Sequence, residues 1–186
     1  FAWATSGPAR NLVASRTSFA STATKSSNKS RVRVYRCGWN TTTVANGTYV
    51  LRARAEKGSQ VWTDEQSGVV VDNQAPTVDS FTVPPGVLSG VVTLAATASD
   101  AVSSVASVTF DYRLGSGSWI TCGSDSSAPY TCNLTTAGLT EGTYTFRAVA
   151  SDAAGNLSPP VTAARAVSNA SASVSITSPG VDTSTS

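Results

Sequence analysis

The sequence repeats itself at a spacing of 95 residues. Cys37 recurs as Cys132, Gly47-Thr-Tyr recurs as Gly142-Thr-Tyr, and an Arg-Ala pair follows each of these tripeptides at the same distance. A self-match at one fixed spacing indicates tandem copies of a single module. This period is too long for a solenoid repeat and has the size of a small β-sandwich domain. The sequence therefore predicts sandwich modules in a row.

The composition favours β-strands, and the sequence shows no sign of a membrane-spanning segment. The 186 residues leave room for one large or two small domains. Charged residues make up 13% of the chain, about half the usual share, and valine and threonine, which favour strands, are abundant. No run of 18 apolar residues is present, so we expect no membrane span. Since the first residue is Phe1 and no signal peptide is recognisable, we interpret the sequence as a processed or excised piece.

Residues 74–168 are predicted to hold the complete copy. Short alternating runs are separated there by Gly, Pro, Ser and Asp turn signals, which is typical of an antiparallel sandwich. The predicted strands are 80–83, 91–98, 105–114, 119–122, 130–134, 143–150 and 161–167.

Residues 1–73 are predicted to hold a partial copy that carries a basic, Ser/Thr-rich insertion. The C-terminal part of this segment matches the complete copy well, and Phe1-Ala-Trp3 aligns with Phe110-Asp-Tyr112. Counterparts of the first two strands of the complete copy are not visible in the sequence. Residues 169–186 are predicted to be a linker and the first strand of a further repeat.

Three segments resemble the bacterial Ig-like repeats. They are Cys122-Gly-Ser-Asp-Ser-Ser-Ala-Pro-Tyr-Thr-Cys132, Glu141-Gly-Thr-Tyr-Thr-Phe-Arg-Ala-Val-Ala-Ser-Asp-Ala-Ala-Gly-Asn156 and the junction Val71-Asp-Asn-Gln-Ala-Pro-Thr77. The resemblance implies an all-β fold of tandem immunoglobulin-like antiparallel β-sandwiches, the first of them incomplete. Such repeats build large secreted or surface-anchored proteins, often adhesins or stalks, so we expect an extracellular location at the cell surface.

The chain contains three cysteines, so one of them has no partner if the other two form a disulfide. Cys122 and Cys132 bracket a polar, turn-rich loop, which favours a disulfide in an oxidising compartment over two free thiols. Cys37 matches Cys132, but no cysteine precedes it, so we expect it to be unpaired or to have a partner outside the chain.

The uneven distribution of charge along the chain indicates which kinds of partner it could bind. Residues 1–55 hold nine basic and no acidic residues, whereas residues 56–186 hold four basic and eleven acidic ones. This asymmetry is equally consistent with a solvated basic surface and with contact to an anionic cell-surface polymer, a glycan or the acidic end of another copy. No nucleic acid partner is expected.

The sequence predicts no enzyme. It contains no histidine, the commonest general base and metal ligand, and no nucleophile or phosphate-binding motif is present. Asp111 and Asp125 form a conceivable carboxylate pair, but nothing in the sequence orients them, and solvated carboxylates on a strand and a turn are the favoured interpretation.

Calcium is the only cofactor that the residues of this sequence favour, and no other cofactor is expected. Calcium prefers several carboxylate and carbonyl oxygens. The resemblance to an Ig-like sandwich implies that the linker and two strand-end turns can gather at one end of the domain, and these carry five candidate ligands: Asp72, Asn73, Asp100, Asp152 and Asn156. The alternative is that these side chains cap their own turns.

Three hypotheses for function remain. The first is a non-catalytic structural repeat of a surface fibre, stalk or adhesin, in which a strand carrying Val174 and Ile176 completes the first module of the next copy, head to tail. The second is a module of a secreted enzyme that binds a glycan or anionic polymer. The third is a bare spacer.

Overall fold

The protein is built from antiparallel strands. The structure, a computed structural model, describes residues 2–4, 20–25 and 31–170, with side chains from 36 to 170. Its strands are β1 Ala2–Ala4, β2 Ala20–Lys25, β3 Arg31–Arg36, β4 Gly47–Lys57, β5 Gln60–Val71, β6 Thr77–Thr82, β7 Val91–Ser99, β8 Val105–Leu114, β9 Ile120–Asp125, β10 Tyr130–Thr135, β11 Gly142–Asp152 and β12 Val161–Val167. The predicted all-β, antiparallel fold is confirmed.

The second module is a sandwich of two sheets. One sheet has the strand order β10-β7-β6 and the other the order β12-β11-β8-β9. Alternate side chains of each strand point between the sheets because successive residues of a strand face opposite sides. The core formed in this way includes Leu94 on β7, Phe110 on β8 and Phe146 on β11, each with 0% of its surface exposed.

The first module has a different arrangement. A three-stranded sheet has the order β1-β4-β5, and β2 pairs with β3 as a separate hairpin. β2 lies inside the segment that the sequence predicted as an insertion. β5 begins well before the predicted match at Gly68, because the backbone turns at Gly58, with φ of 60°, and folds β5 back along β4.

Three strands of the first module, β1, β4 and β5, pair in the same order as their counterparts β8, β11 and β12. β1 pairs with β4 as β8 pairs with β11, and the register places Trp3 opposite Ala53, as Phe110 lies opposite Ala148. The predicted alignment of Trp3 with Tyr112 is therefore wrong by two residues. Among the described strands, none precedes β1 as β6 and β7 precede β8, and β3 pairs with β2, whereas β10 pairs with β7.

The repeated Gly-Thr-Tyr motif has a structural cause. Tyr49 donates a hydrogen bond from its hydroxyl to the carbonyl of Ala45 at 2.7 Å, and Tyr144 donates to that of Thr140 at 3.0 Å. This tyrosine corner fixes the loop that leads into the strand. The glycine before it has φ of 151° at position 142, and a Cβ there would lie 2.8 Å from Leu114.

A disulfide joins the two sheets of the second module. Cys122 lies on β9 and Cys132 on β10, with the Cα atoms 6.4 Å apart. The pairing is the one that the sequence favours. Cys37 is an exposed free thiol.

Removing this disulfide should lower the free energy of unfolding by about 2–3 kcal/mol, because the cross-link restricts the unfolded chain over a short loop. The measurement is urea denaturation of a variant with serine at both positions, with Cys37→Ser as the control. An unchanged midpoint, or peptide mapping that recovers both residues as alkylated free thiols, would contradict the bond.

Candidate functional site

Asp72 connects the two modules. It follows β5, has 7% of its surface exposed, and accepts a hydrogen bond at Oδ2 from the Ser103 hydroxyl at 2.7 Å. Its Oδ1 accepts from the backbone N–H of Gln74, and its carbonyl oxygen accepts from Nδ2 of Asn156 at 3.1 Å. A residue that ends the first module is thus anchored to two loops of the second.

Asp100 leaves one oxygen free. It follows β7, and its Oδ1 accepts hydrogen bonds from the backbone N–H groups of Val102 at 2.9 Å and Ser103 at 2.6 Å. Its Oδ2 is buried and has no hydrogen-bond partner among the described residues. A buried acceptor without a partner is costly, so this oxygen favours a donor or a cation.

Asp152 ends β11 and has 3% of its surface exposed. Its Oδ1 accepts from the backbone N–H groups of Ala154 and Asn156, and its Oδ2 accepts from Nδ2 of Asn156 at 2.8 Å. Burial acts to raise the pKa of this carboxyl, but the hydrogen bonds from Asn156, Gly155 and Ala154 outweigh burial and lower the pKa below its ordinary value. The carboxyl is therefore ionised at neutral pH.

These three carboxylates meet at the junction. One oxygen each from Asp72, Asp100 and Asp152 lies within 4.8 Å of the others, and no salt bridge reaches them from the described residues. Two unit charges at this distance repel by roughly 3.5 kcal/mol at an effective dielectric constant of about 20. Oxygens that share a calcium ion at about 2.4 Å each lie at most about 4.8 Å apart, so the cluster has dimensions that fit such an ion.

The other two predicted ligands have different roles. Asn156 lies beside the cluster but presents its NH₂ group, which donates to the Asp152 carboxylate and to the backbone carbonyl of Asp72. Asn73 points to the first module instead: its Nδ2 donates to the carbonyls of Thr41 at 3.0 Å and Val44 at 3.5 Å. Three of the five predicted ligands thus meet in the structure, Asn156 supports them as a hydrogen-bond donor, and Asn73 lies apart.

Asn73 holds the end of the first module by these two side-chain hydrogen bonds, an arrangement that the sequence did not predict and that we call an amide clamp. Asn169 forms the same clamp at the end of the second module, where its Nδ2 donates to the carbonyls of Thr136 at 2.8 Å and Leu139 at 3.3 Å. The signal was present, because Val71-x-Asn73 recurs as Val167-x-Asn169. Each clamp fixes the direction in which the chain leaves its module.

The second module repeats the asparagine of the clamp but not the aspartate that precedes it. Ser168 occupies the place before Asn169 that Asp72 occupies before Asn73. Its hydroxyl donates to Glu141 at 3.2 Å, within the second module. The ends of the two modules therefore share the amide clamp and differ in charge.

The two carboxylates considered for catalysis are engaged separately. Asp111 accepts hydrogen bonds from Arg147 at 2.8 Å and Thr121 at 2.8 Å. Asp125 accepts from the backbone N–H groups of Thr131 and Ser127, which lower the pKa of its carboxyl. The structure does not bring Asp111 and Asp125 together as a general acid and base pair.

Comparison with known proteins identifies the module. The family model described as "Bacterial Ig domain" matches residues 70–148, a segment that contains Asp72 and Asp100. No curated protein and no solved structure matches the chain. Within the described residues, no helix is both long and apolar enough to cross a bilayer.

Proposed function

Because residues 70–148 belong to the bacterial Ig domain family, we propose that this chain is a non-catalytic, extracellular structural module of a bacterial surface fibre, stalk or adhesin. Bacterial Ig domains are typical of extracellular and surface proteins, where they serve structural or adhesive roles. The observation that carries the proposal is the junction, where Asp72 is anchored to the second module and Asn73 to the first. Such anchoring favours a stiff connection over a flexible linker.

The second part of the proposal is that calcium stiffens this junction. Asp72, Asp100 and Asp152 would supply carboxylate oxygens, and the buried free Oδ2 of Asp100 supports this assignment. A divalent cation would offset the repulsion between the three charges, and its ligands would tie the linker to the ends of β7 and β11.

Calcium should raise the melting temperature of the protein, because a ligand that binds only the folded state stabilises it by mass action, by about 2.7 kcal/mol at 100 times Kd. Calorimetry with calcium and with a chelator measures the effect. Asp72→Asn should abolish it, and the exposed Asp64→Asn is the matched control. No heat on titration and an unchanged melting temperature would remove calcium from the proposal.

The third part concerns assembly, and it rests on the inner face of β4. Tyr49 is 5% exposed, close to the 4% of its counterpart Tyr144. Leu51, Ala53 and Ala55 are half-buried, whereas their counterparts are 0% exposed: these are Phe146, Ala148 and Ala150. The described residues thus leave part of this core face open to a further strand.

We propose that the strand comes from the C-terminal segment of another copy. Val174 and Ile176 lie outside the described residues, and their segment resembles the start of the complete copy in sequence. A strand that adds to an open sheet edge gains backbone hydrogen bonds and inserts alternate side chains. The basic first 55 residues and the acidic remainder would orient the encounter. A head-to-tail contact of this kind produces a filament when its rotation does not close a ring.

Wild-type protein should therefore form concentration-dependent polymers in sedimentation and electron microscopy. Deletion of residues 170–186, or Val174→Asp combined with Ile176→Asp, should yield monomers because neither variant can donate the strand. Val87→Asp with Val91→Asp, at valines that are 63% and 68% exposed, is the control. Polymers that persist in both donor variants, or a wild-type chain that stays monomeric at high concentration and low salt, would exclude strand donation.

A further inference from the structure

Two arginines are held against one tryptophan on the outer face of the four-stranded sheet. The guanidinium carbon of Arg113 lies 4.4 Å from the ring centroid of Trp119, and that of Arg147 lies 4.1 Å from it. Arg113 is paired with Thr145 and Arg147 with Asp111 across neighbouring strands. Since Phe110 and Phe146 face the core, the two arginines are diagonal neighbours on the opposite face.

The positive charge of this pair is only partly compensated. Asp111, which is 5% exposed, accepts a hydrogen bond at Oδ2 from Nε of Arg147 at 2.8 Å, and its Oδ1 is occupied by the Thr121 hydroxyl. Arg113 has no salt bridge among the described residues, and its Nε is buried without a hydrogen-bond partner there. Asp111 thus pairs with Arg147 alone, and Nε of Arg113 lacks an acceptor among the described residues.

Hydroxyl groups share this sheet face with the arginines, farther along the strands. On the same face, Thr109 donates to Ser124 at 3.3 Å, and the hydroxyls of Ser107 and Ser151 lie 3.0 Å apart. Hydroxyl groups both donate and accept hydrogen bonds. The surface therefore combines fixed guanidinium groups with many small, neutral hydrogen-bonding groups.

We propose that this face binds a carboxylate-bearing polysaccharide. A guanidinium group presents a planar fork of donors that matches a carboxylate in two parallel hydrogen bonds. Stacking against Trp119 orders both arginines before the ligand arrives, which reduces the entropy that binding costs. The serine and threonine hydroxyls farther along the same face match the hydroxyl groups of the sugar residues of a polymer that extends along the strands. Binding at this face goes beyond the structural role, and it requires neither calcium nor strand donation.

The test uses polygalacturonate as the probe, with neutral dextran and inorganic polyphosphate as comparison polymers. We expect calorimetry at low salt to detect binding of polygalacturonate and none of dextran. Arg113→Gln should weaken this binding at least tenfold, and Arg113→Lys should weaken it less because the charge remains while the fork is lost. Arg54→Gln is the matched control, since Arg54 is an arginine of the first module that pairs with Glu56.

Three results would overturn the proposal. The first is the absence of binding to polygalacturonate by wild-type protein whose circular dichroism spectrum shows it to be folded. The second is an equal loss of affinity in Arg113→Gln and Arg54→Gln, which would indicate attraction by net charge alone. The third is Arg113-dependent binding of polyphosphate without binding of polygalacturonate, which would assign the face to phosphate polymers instead.

Discussion

Replacing Phe146 by alanine should lower the free energy of unfolding of the second module by about 3–5 kcal/mol. The side chain is fully buried between the sheets, so its removal loses the transfer free energy of the ring and leaves a cavity. Leu51, the matching residue of the first module, is half-buried, and Leu51→Ala should cost roughly 1 kcal/mol in a single chain. Urea denaturation, with hydrogen exchange read separately at β4 and β11, measures both effects.

The same pair of variants tests the assembly proposal. If a donated strand covers Leu51, the cost of Leu51→Ala should rise with protein concentration, while the cost of Phe146→Ala should not. A cost for Leu51→Ala as large as that of Phe146→Ala in dilute monomer would show that the first module buries this face within one chain. That result would contradict an open acceptor face.

Replacing Asp152 by alanine should cost about 2–4 kcal/mol, because the substitution removes the acceptor of three hydrogen bonds at a buried site. Its folded-state pKa lies below the ordinary value of 3.8. The carboxylate therefore contributes stability that is fully present above that ordinary value and is lost as the pH falls through the lower, folded-state pKa. The stability of the wild type should thus decline below about pH 4.

Asp152→Asn separates the charge from the shape of this side chain. An asparagine retains an acceptor oxygen but does not titrate, so this variant should lose less stability between pH 4 and pH 2 than the wild type. Urea midpoints measured from pH 2 to pH 7 with a chelator present provide the comparison. Identical acid dependence of wild type and Asp152→Asn would show that the folded-state pKa of Asp152 is not lowered.

Short-range patterns in the sequence were sufficient to predict the strands, the disulfide and the acidic turns of this protein. The 95-residue repeat and the alternation of apolar residues predicted the antiparallel strands, because the period of side chains along a strand is a property of the backbone itself. The pairing of Cys122 with Cys132 followed from the short, turn-rich loop that separates them in the sequence and keeps them close in space. The acidic turns at Asp72, Asp100 and Asp152 were also visible, since Asp at a strand end is a turn signal.

The tertiary structure decided what depends on contacts between distant segments. It turned Asn73 towards the first module and left Asp72 with Asp100 and Asp152, a division that neighbours in sequence do not reveal. Packing also made Phe146 fully buried and Leu51 half-buried, although they stand at matching places of the repeat. The physical reason is that pleat and turn chemistry act within a few residues, whereas burial depends on which other strands cover a face.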